Sequence, residues 1–162
     1  MYGQAEVQTN NSTCDIAQDT QEIVLASRIL QAYPINPRKR TKKSENKDRL
    51  FLLNPNFVDT NRQPEGQIYY CPFNAMLEGV LHYYPNLREE LEITYINFPR
   101  PRTQIIELLG EGNQGMPLMI IERNDVDLSS LNVMQYEDKI FIMGSEAIAK
   151  YFSIAHGIPL PH

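Results

Sequence analysis

Residues 71–85 read CPFNAMLEGVLHYYP, a helix with marked ends. Met76, Leu77, Val80, Leu81 and Tyr84 recur three and four residues apart, which gathers them into one apolar stripe. Pro72 falls in the first turn, where the N–H that proline lacks has no helical partner anyway. Pro85 stops the run, because a proline disfavours helical dihedrals in the residue before it. Cys71 therefore stands at a helix start. Outward on one side, residues 50–53 (LFLL) form a short apolar run that fits a buried strand. Outward on the other, residues 91–96 (LEITYI) alternate and are rich in β-formers. Strand, helix, strand is a βαβ unit.

The second half continues the pattern. Residues 101–109 (PRTQIIELL) predict a short helix that opens near Pro101 and stops before Gly110. Residues 117–121 (PLMII) and 139–143 (KIFIM) predict strands. Ser145 is placed to cap a last helix whose Ile148, Tyr151, Phe152 and Ala155 share a face, closed by Gly157 and Pro159. The expected order is βαβαββα, an α/β fold with a mixed sheet covered by helices on both faces. Residues 54–70 are expected as a long polar loop directly before Cys71, and residues 122–138 as an acidic hairpin extension. Loops of that length in a compact domain are often functional, and either is placed to cover the thiol.

Residues 1–14 are polar and predict disorder. Residues 15–33 predict an amphipathic helix, stopped by Pro34 and Pro37, and residues 38–47 (RKRTKKSENK) a basic linker. This divides the chain into an extension, 1–47, and a domain, 48–162. The extension carries seven Lys/Arg against five Asp/Glu, the domain eight against fifteen. An acidic domain argues against nucleic acid as its main partner. A protein partner is expected through residues 15–47. No eighteen-residue apolar stretch predicts a membrane span. The N-terminus lacks the basic and apolar regions of a secretory signal. Two distant cysteines, Cys14 and Cys71, are no disulfide framework, so reduced thiols and a cytoplasmic setting are expected.

Cys71 is the candidate nucleophile. Backbone N–H groups and the macrodipole at a helix start favour an anion, and the thiolate is the reactive form of cysteine. A dithiol motif places its resolving cysteine three residues later, where this chain has Asn74. Any redox cycle then needs an external thiol such as glutathione. A small buried residue in a helix cap is the plain alternative. Arg100 and Arg102 flank Pro101 and are candidates to clamp a carboxylate or phosphate, with a solvated pair or a bridge to Glu111 as the plainer expectation. His82, His156 and His162 show no metal-ligand spacing, and no metal is expected.

Cys71-Pro72-Phe73 resembles the CPF motif of omega-class glutathione transferases, dehydroascorbate reductases and intracellular chloride channel proteins. Gly115-Met116-Pro117-Leu118 resembles their turn with a cis-proline before the third strand. Residues 144–152 (GSEAIAKYF) resemble their segment in which a serine at a helix start holds the γ-glutamyl carboxylate of glutathione. The resemblance covers residues 48–157. It implies a thioredoxin-like fold, glutathione as thiol ligand, Cys71 as the residue forming the mixed disulfide, and Met116, Pro117 and Ser145 as its binding residues. The chain is also similar to a bacterial family of thioredoxin-like proteins in Tyr70-Cys71-Pro72, Glu78-Gly79, Phe98-Pro99-Arg100-Pro101-Arg102, Gly110-Glu111-Gly112-Asn113-Gln114 and the ending at residues 156–162 (HGIPLPH). Asn74 departs from the dithiol pattern, Gly144 stands where the transferases have an acidic residue, and their helical second domain is missing. Two functions follow. One is a scaffold with a degenerate monothiol site, docked to a larger assembly through its N-terminal helix. The other is a glutathione-linked monothiol oxidoreductase or thiol transferase using Cys71.

Overall fold

The computed structural model describes residues 46–162. The helix expected over 15–33 and most of the basic linker lie outside the described residues. The apolar run around Leu50 becomes β1 (Asp48–Leu53), an inner strand of the sheet. It pairs in parallel with β4 (Leu91–Ile96), from Asp48 opposite Leu91 to Leu53 opposite Ile96. On its other side it pairs antiparallel with β5 (Leu118–Ile121), Phe51 facing Leu118. Next comes β7 (Lys139–Met143), antiparallel to β5, with Leu118 opposite Met143. The three-residue β6 (Met134–Tyr136) closes that edge. The five-stranded order is β4-β1-β5-β7-β6.

Side chains alternate faces along a strand, and the two faces of β1 build two cores. Leu50 and Leu52 pack with Met119, Ile121 and Ile142 beneath two helices, α1 (Pro72–Tyr83) and the C-terminal helix Ser145–His156. Leu77 and Leu81 come from the first, and Ile148, Ala149, Tyr151 and Phe152 from the second. Phe51 joins Ile96, Leu118, Ile120 and Phe141 on the other face, under Ile105 and Leu109 of the helix Thr103–Leu109. Covered on both faces, β1 reads as a continuous apolar run rather than an alternating one. Each large side chain buried this way contributes roughly 1.5–3 kcal/mol. Among the described residues the α-helices are, in chain order, α1, the five-residue α2 (Asn86–Glu90), α3 (Thr103–Leu109) and α4 (Ser145–His156). The protein is of α/β class, with helices on both faces of a mixed sheet.

Four local expectations change. Residues 54–70 are not a plain loop. Phe57–Val58 (β2) and Ile68–Tyr69 (β3) pair antiparallel as a separate two-stranded ribbon. Met76 lies at the rim of the helical stripe and is 37% exposed, while Asn74 takes a place on the buried face beside Leu77 and Leu81. Ser145 does not cap α4. Gly144 is the cap residue, at φ 95°, and its carbonyl accepts from the Ile148 N–H at 3.1 Å. That left-handed region favours glycine, which accounts for a glycine at residue 144. Finally, the 122–138 extension begins at the end of the sheet away from the thiol. The Glu122 and Arg123 N–H groups donate to Asp48, at the opposite end of β1 from Cys71, at 2.8 and 3.2 Å.

Candidate functional site

Register places the sequence-predicted residues at one end of the sheet. β1 and β4 run parallel and finish together, since Leu53 faces Ile96. The main chain continues that pairing through the Asn54 N–H to the Ile96 carbonyl, 2.8 Å. β5 runs the other way and begins at this end, directly after Pro117, while β7 finishes here at Met143. The Gly144 N–H donates to the Pro117 carbonyl at 3.0 Å. α1 and α4, twelve residues each, both start here. The carboxyl ends of parallel strands, with helix N-termini beside them, are where α/β sheets bind ligands. Cys71, Asn74, Met116, Pro117 and Ser145 all belong to this end.

Cys71 is the N-cap residue of α1, in extended conformation at φ −86°, ψ 116°. Its carbonyl accepts from the Ala75 N–H at 3.0 Å, but its side chain makes no capping hydrogen bond. The sulfur is thus left for other chemistry. The residue is half-buried and free, and neither added segment seals it. Its chain neighbours are open and apolar: Tyr70 is 66% exposed and Phe73 61%. Ile68, on β3, is exposed as well. Asn74, one helical turn on from Cys71, is only 5% exposed, and neither its Nδ2 nor its Oδ1 has a hydrogen-bond partner. Ser145 is buried, Met116 half-buried, and the Met116–Pro117 bond is cis.

Arg102 does not serve as the clamp expected of it. It is buried, and its guanidinium donates to three backbone carbonyls: Asn97 at 3.4 Å, Phe98 at 2.5 Å, and Gln114. Its own N–H donates to the Gln114 side-chain oxygen at 2.8 Å. Neither the solvated pair nor the bridge to Glu111 forms at this residue, because its donors are engaged in tying the loop after β4 to residue 114. Burial pulls the Arg102 pKa down, and the neighbouring Arg100 adds to that, while the charge of Cys71 pushes it back up. An arginine remains charged regardless. It therefore places a fixed positive charge within electrostatic reach of the Cys71 sulfur. Arg100 is exposed beside it.

The 54–70 ribbon is pinned to the same loop. Phe57 stacks on Phe98 with ring centroids 4.1 Å apart and planes 1° from parallel. Asn54 Nδ2 donates to Asn97 Oδ1 at 3.0 Å. These contacts pin the ribbon to the loop that follows β4. A cleft of ≈ 270 Å³ lies elsewhere, where α1 and α4 end, lined among others by Tyr83, Tyr84, Glu90 and His156. It holds none of the predicted site residues. Among the described residues, no group of His, Cys, Asp or Glu is arranged to hold a metal ion, and no helix is long and apolar enough to cross a membrane.

The chain belongs to the DUF3088 family. The family, described as a protein of unknown function, matches residues 47–160. No curated protein and no solved structure matches the chain. The DUF3088 match spans both cores and every site residue named above, and it begins at the foot of β1. For two residues named in the sequence the contacts were not legible. Gln114 was visible within the run of residues 110–114, but not as the residue that ties down Arg102. Asn74 was visible as the residue in place of a second cysteine, but not as a buried amide without a partner.

Proposed function

We propose that this DUF3088 protein is a thioredoxin-like monothiol protein whose Cys71 exchanges disulfides with glutathione. The observation that carries this reading is the half-exposed Cys71 at the start of a twelve-residue helix, its side chain free of any capping bond. Strand order β4-β1-β5-β7, with the first pair parallel and the rest antiparallel, supports the thioredoxin-like assignment. So does the placement of α1 and α4 on one face and α3 on the other.

The chemistry follows from the lone thiol. The Cys71 thiolate attacks the glutathione sulfur of a protein–glutathione mixed disulfide. A sulfur–sulfur bond forms to Cys71, and the protein thiolate leaves and takes up a proton. The thiolate of a second glutathione then attacks the sulfur bound to Cys71, releasing oxidised glutathione and restoring the Cys71 thiolate. The helix start and the Arg102 charge stabilise the anion at both stages. The Met116 main chain and the start of α4, where Ser145 lies, position the peptide. The test is turnover of a glutathionylated peptide by reduced glutathione. The full chain should catalyse it and Cys71→Ser should not. An equal rate in both would remove the reading.

A second reading has its own support. Ile68, Tyr70 and Phe73 flank Cys71 in the sequence and expose apolar surface of the kind that marks protein contacts. On this reading the domain is a binding platform and its thiol is vestigial, so a partner captured by the native chain would be captured equally by Cys71→Ser. The docking role of residues 15–47 lies outside the described residues.

A further inference from the structure

A buried amide with neither atom hydrogen-bonded is a costly feature, and most buried polar groups avoid it. Asn74 is such a group: 5% exposed, with Nδ2 and Oδ1 both unpartnered. It occupies the third position of α1, counted from the Cys71 cap. Helix geometry aims that position back at the cap, as in a capping box, where the third residue reaches the first. A neutral thiol is a weak acceptor and demands little of an amide. A thiolate is a strong one, and hydrogen bonds to charged acceptors are worth about twice the neutral kind.

We infer that Asn74 is a positioning residue for Cys71: its side-chain N–H₂ group donates to the Cys71 sulfur when that sulfur is an anion. The inference rests on the reading of Cys71 as a working thiolate. It assigns the residue in the resolving-cysteine position a task. The second thiol is gone, and an amide that stabilises the attacking and departing sulfur stands in its place. Arg102, in the loop after β4, feels the charge of Cys71. Asn74 supplies a directed donor from the same helix. The unsatisfied amide of the resting protein is then explained by the state it serves, since functional sites are where local rules of satisfaction are broken.

The experiment compares Cys71 alkylation by iodoacetamide at pH 7 in the full-length native chain, Asn74→Leu, Asn74→Ala and Asn74→Ser, with a thermal melt of each. Leucine fills a similar volume without polar atoms, so Asn74→Leu should melt at the same or a higher temperature. It should also react several-fold more slowly. The change is held to several-fold because the scarcer thiolate is individually more nucleophilic. Asn74→Ala should be as slow, and Asn74→Ser, which restores a donor, should recover part of the rate. This pair decides the matter if the leucine variant does not fold. Equal rates in native, Leu and Ala proteins overturn the inference while leaving the thiol reading intact. Slowing in Ala and Ser alike, tracking a loss of melting temperature, overturns it as a merely structural effect. A native Cys71 no faster than the same chain unfolded in guanidinium defeats the thiol reading and the inference with it.

Discussion

Two buried polar side chains sit near opposite ends of the layer formed by β1 and the helices above it, and they differ in one respect. Asp48, at the foot of β1, has every demand met. One carboxylate oxygen accepts the N–H groups of Glu122 and Arg123, and the other accepts the Tyr151 hydroxyl at 2.6 Å. Asn74, at the head of α1, has no partner at all. The first joins the start of β1, the segment after β5 and helix α4, so its role is to hold the fold together. The second makes no side-chain hydrogen bond in the resting fold and stands one turn from the thiol. Satisfaction of hydrogen bonds thus separates these two side chains, one tying distant segments together and the other standing beside the thiol.

Substitutions can break this contrast. The largest effect is expected for Cys71→Ser, which should abolish glutathione exchange while leaving the melting temperature within a degree or two, read by turnover and by calorimetry. At the other end, Asp48→Ala strands two backbone N–H groups and a tyrosine hydroxyl, and should lower stability by about 3–5 kcal/mol in urea unfolding. A variant at Asp48 that alters thiol reactivity without altering stability would collapse the distinction. Arg102→Lys keeps the charge but loses the planar fork that reaches three carbonyls, and should cost about 2 kcal/mol. Its alkylation rate should change less than its stability does.

Tyr151 sharpens the Asp48 side of the contrast. Burial raises its pKa well above the ordinary tyrosine value, with the neighbouring Asp48 charge and hydrogen bond adding to the rise. The fold therefore favours the protonated phenol. Its contribution is complete below pH ~10, where the unfolded tyrosine is also protonated. Above that the unfolded state ionises first, and stability should fall by about 1.4 kcal/mol per pH unit from this residue. Tyr151→Phe should cost about 1 kcal/mol at neutral pH and remove that alkaline slope, measured by urea midpoints from pH 8 to 11. The smallest effect is expected for Phe57→Ala. Losing the stack on Phe98 should free the 54–70 ribbon to protease with little change in global stability.

The sequence made the repeating parts legible and left the long-range parts hidden. β1, β4, β5 and β7 and helices α1, α3 and α4 are long or apolar enough to show their period. β2 and β3, two residues each, and the three-residue β6 are too short to carry an alternation. The five-residue α2 is too short for a helical stripe. Cys71 was readable because a cap position is local. Arg102 was misjudged because its carbonyl partners are set by how the loops meet. Asp48 was invisible because its partners lie 74, 75 and 103 residues away. Asn74 could be picked out by position, but whether an amide is satisfied depends on everything packed around it.

The most direct measurement is the fate of each cysteine in oxidised glutathione. The native full-length chain is incubated with it near pH 7, and peptides are mapped by mass spectrometry against the same chain unfolded in guanidinium. Glutathione should attach to Cys71 at least several-fold faster in the native chain than in the unfolded one. Attachment to Cys71 at the same or a lower rate when folded would contradict the reading of Cys71 as a working thiolate.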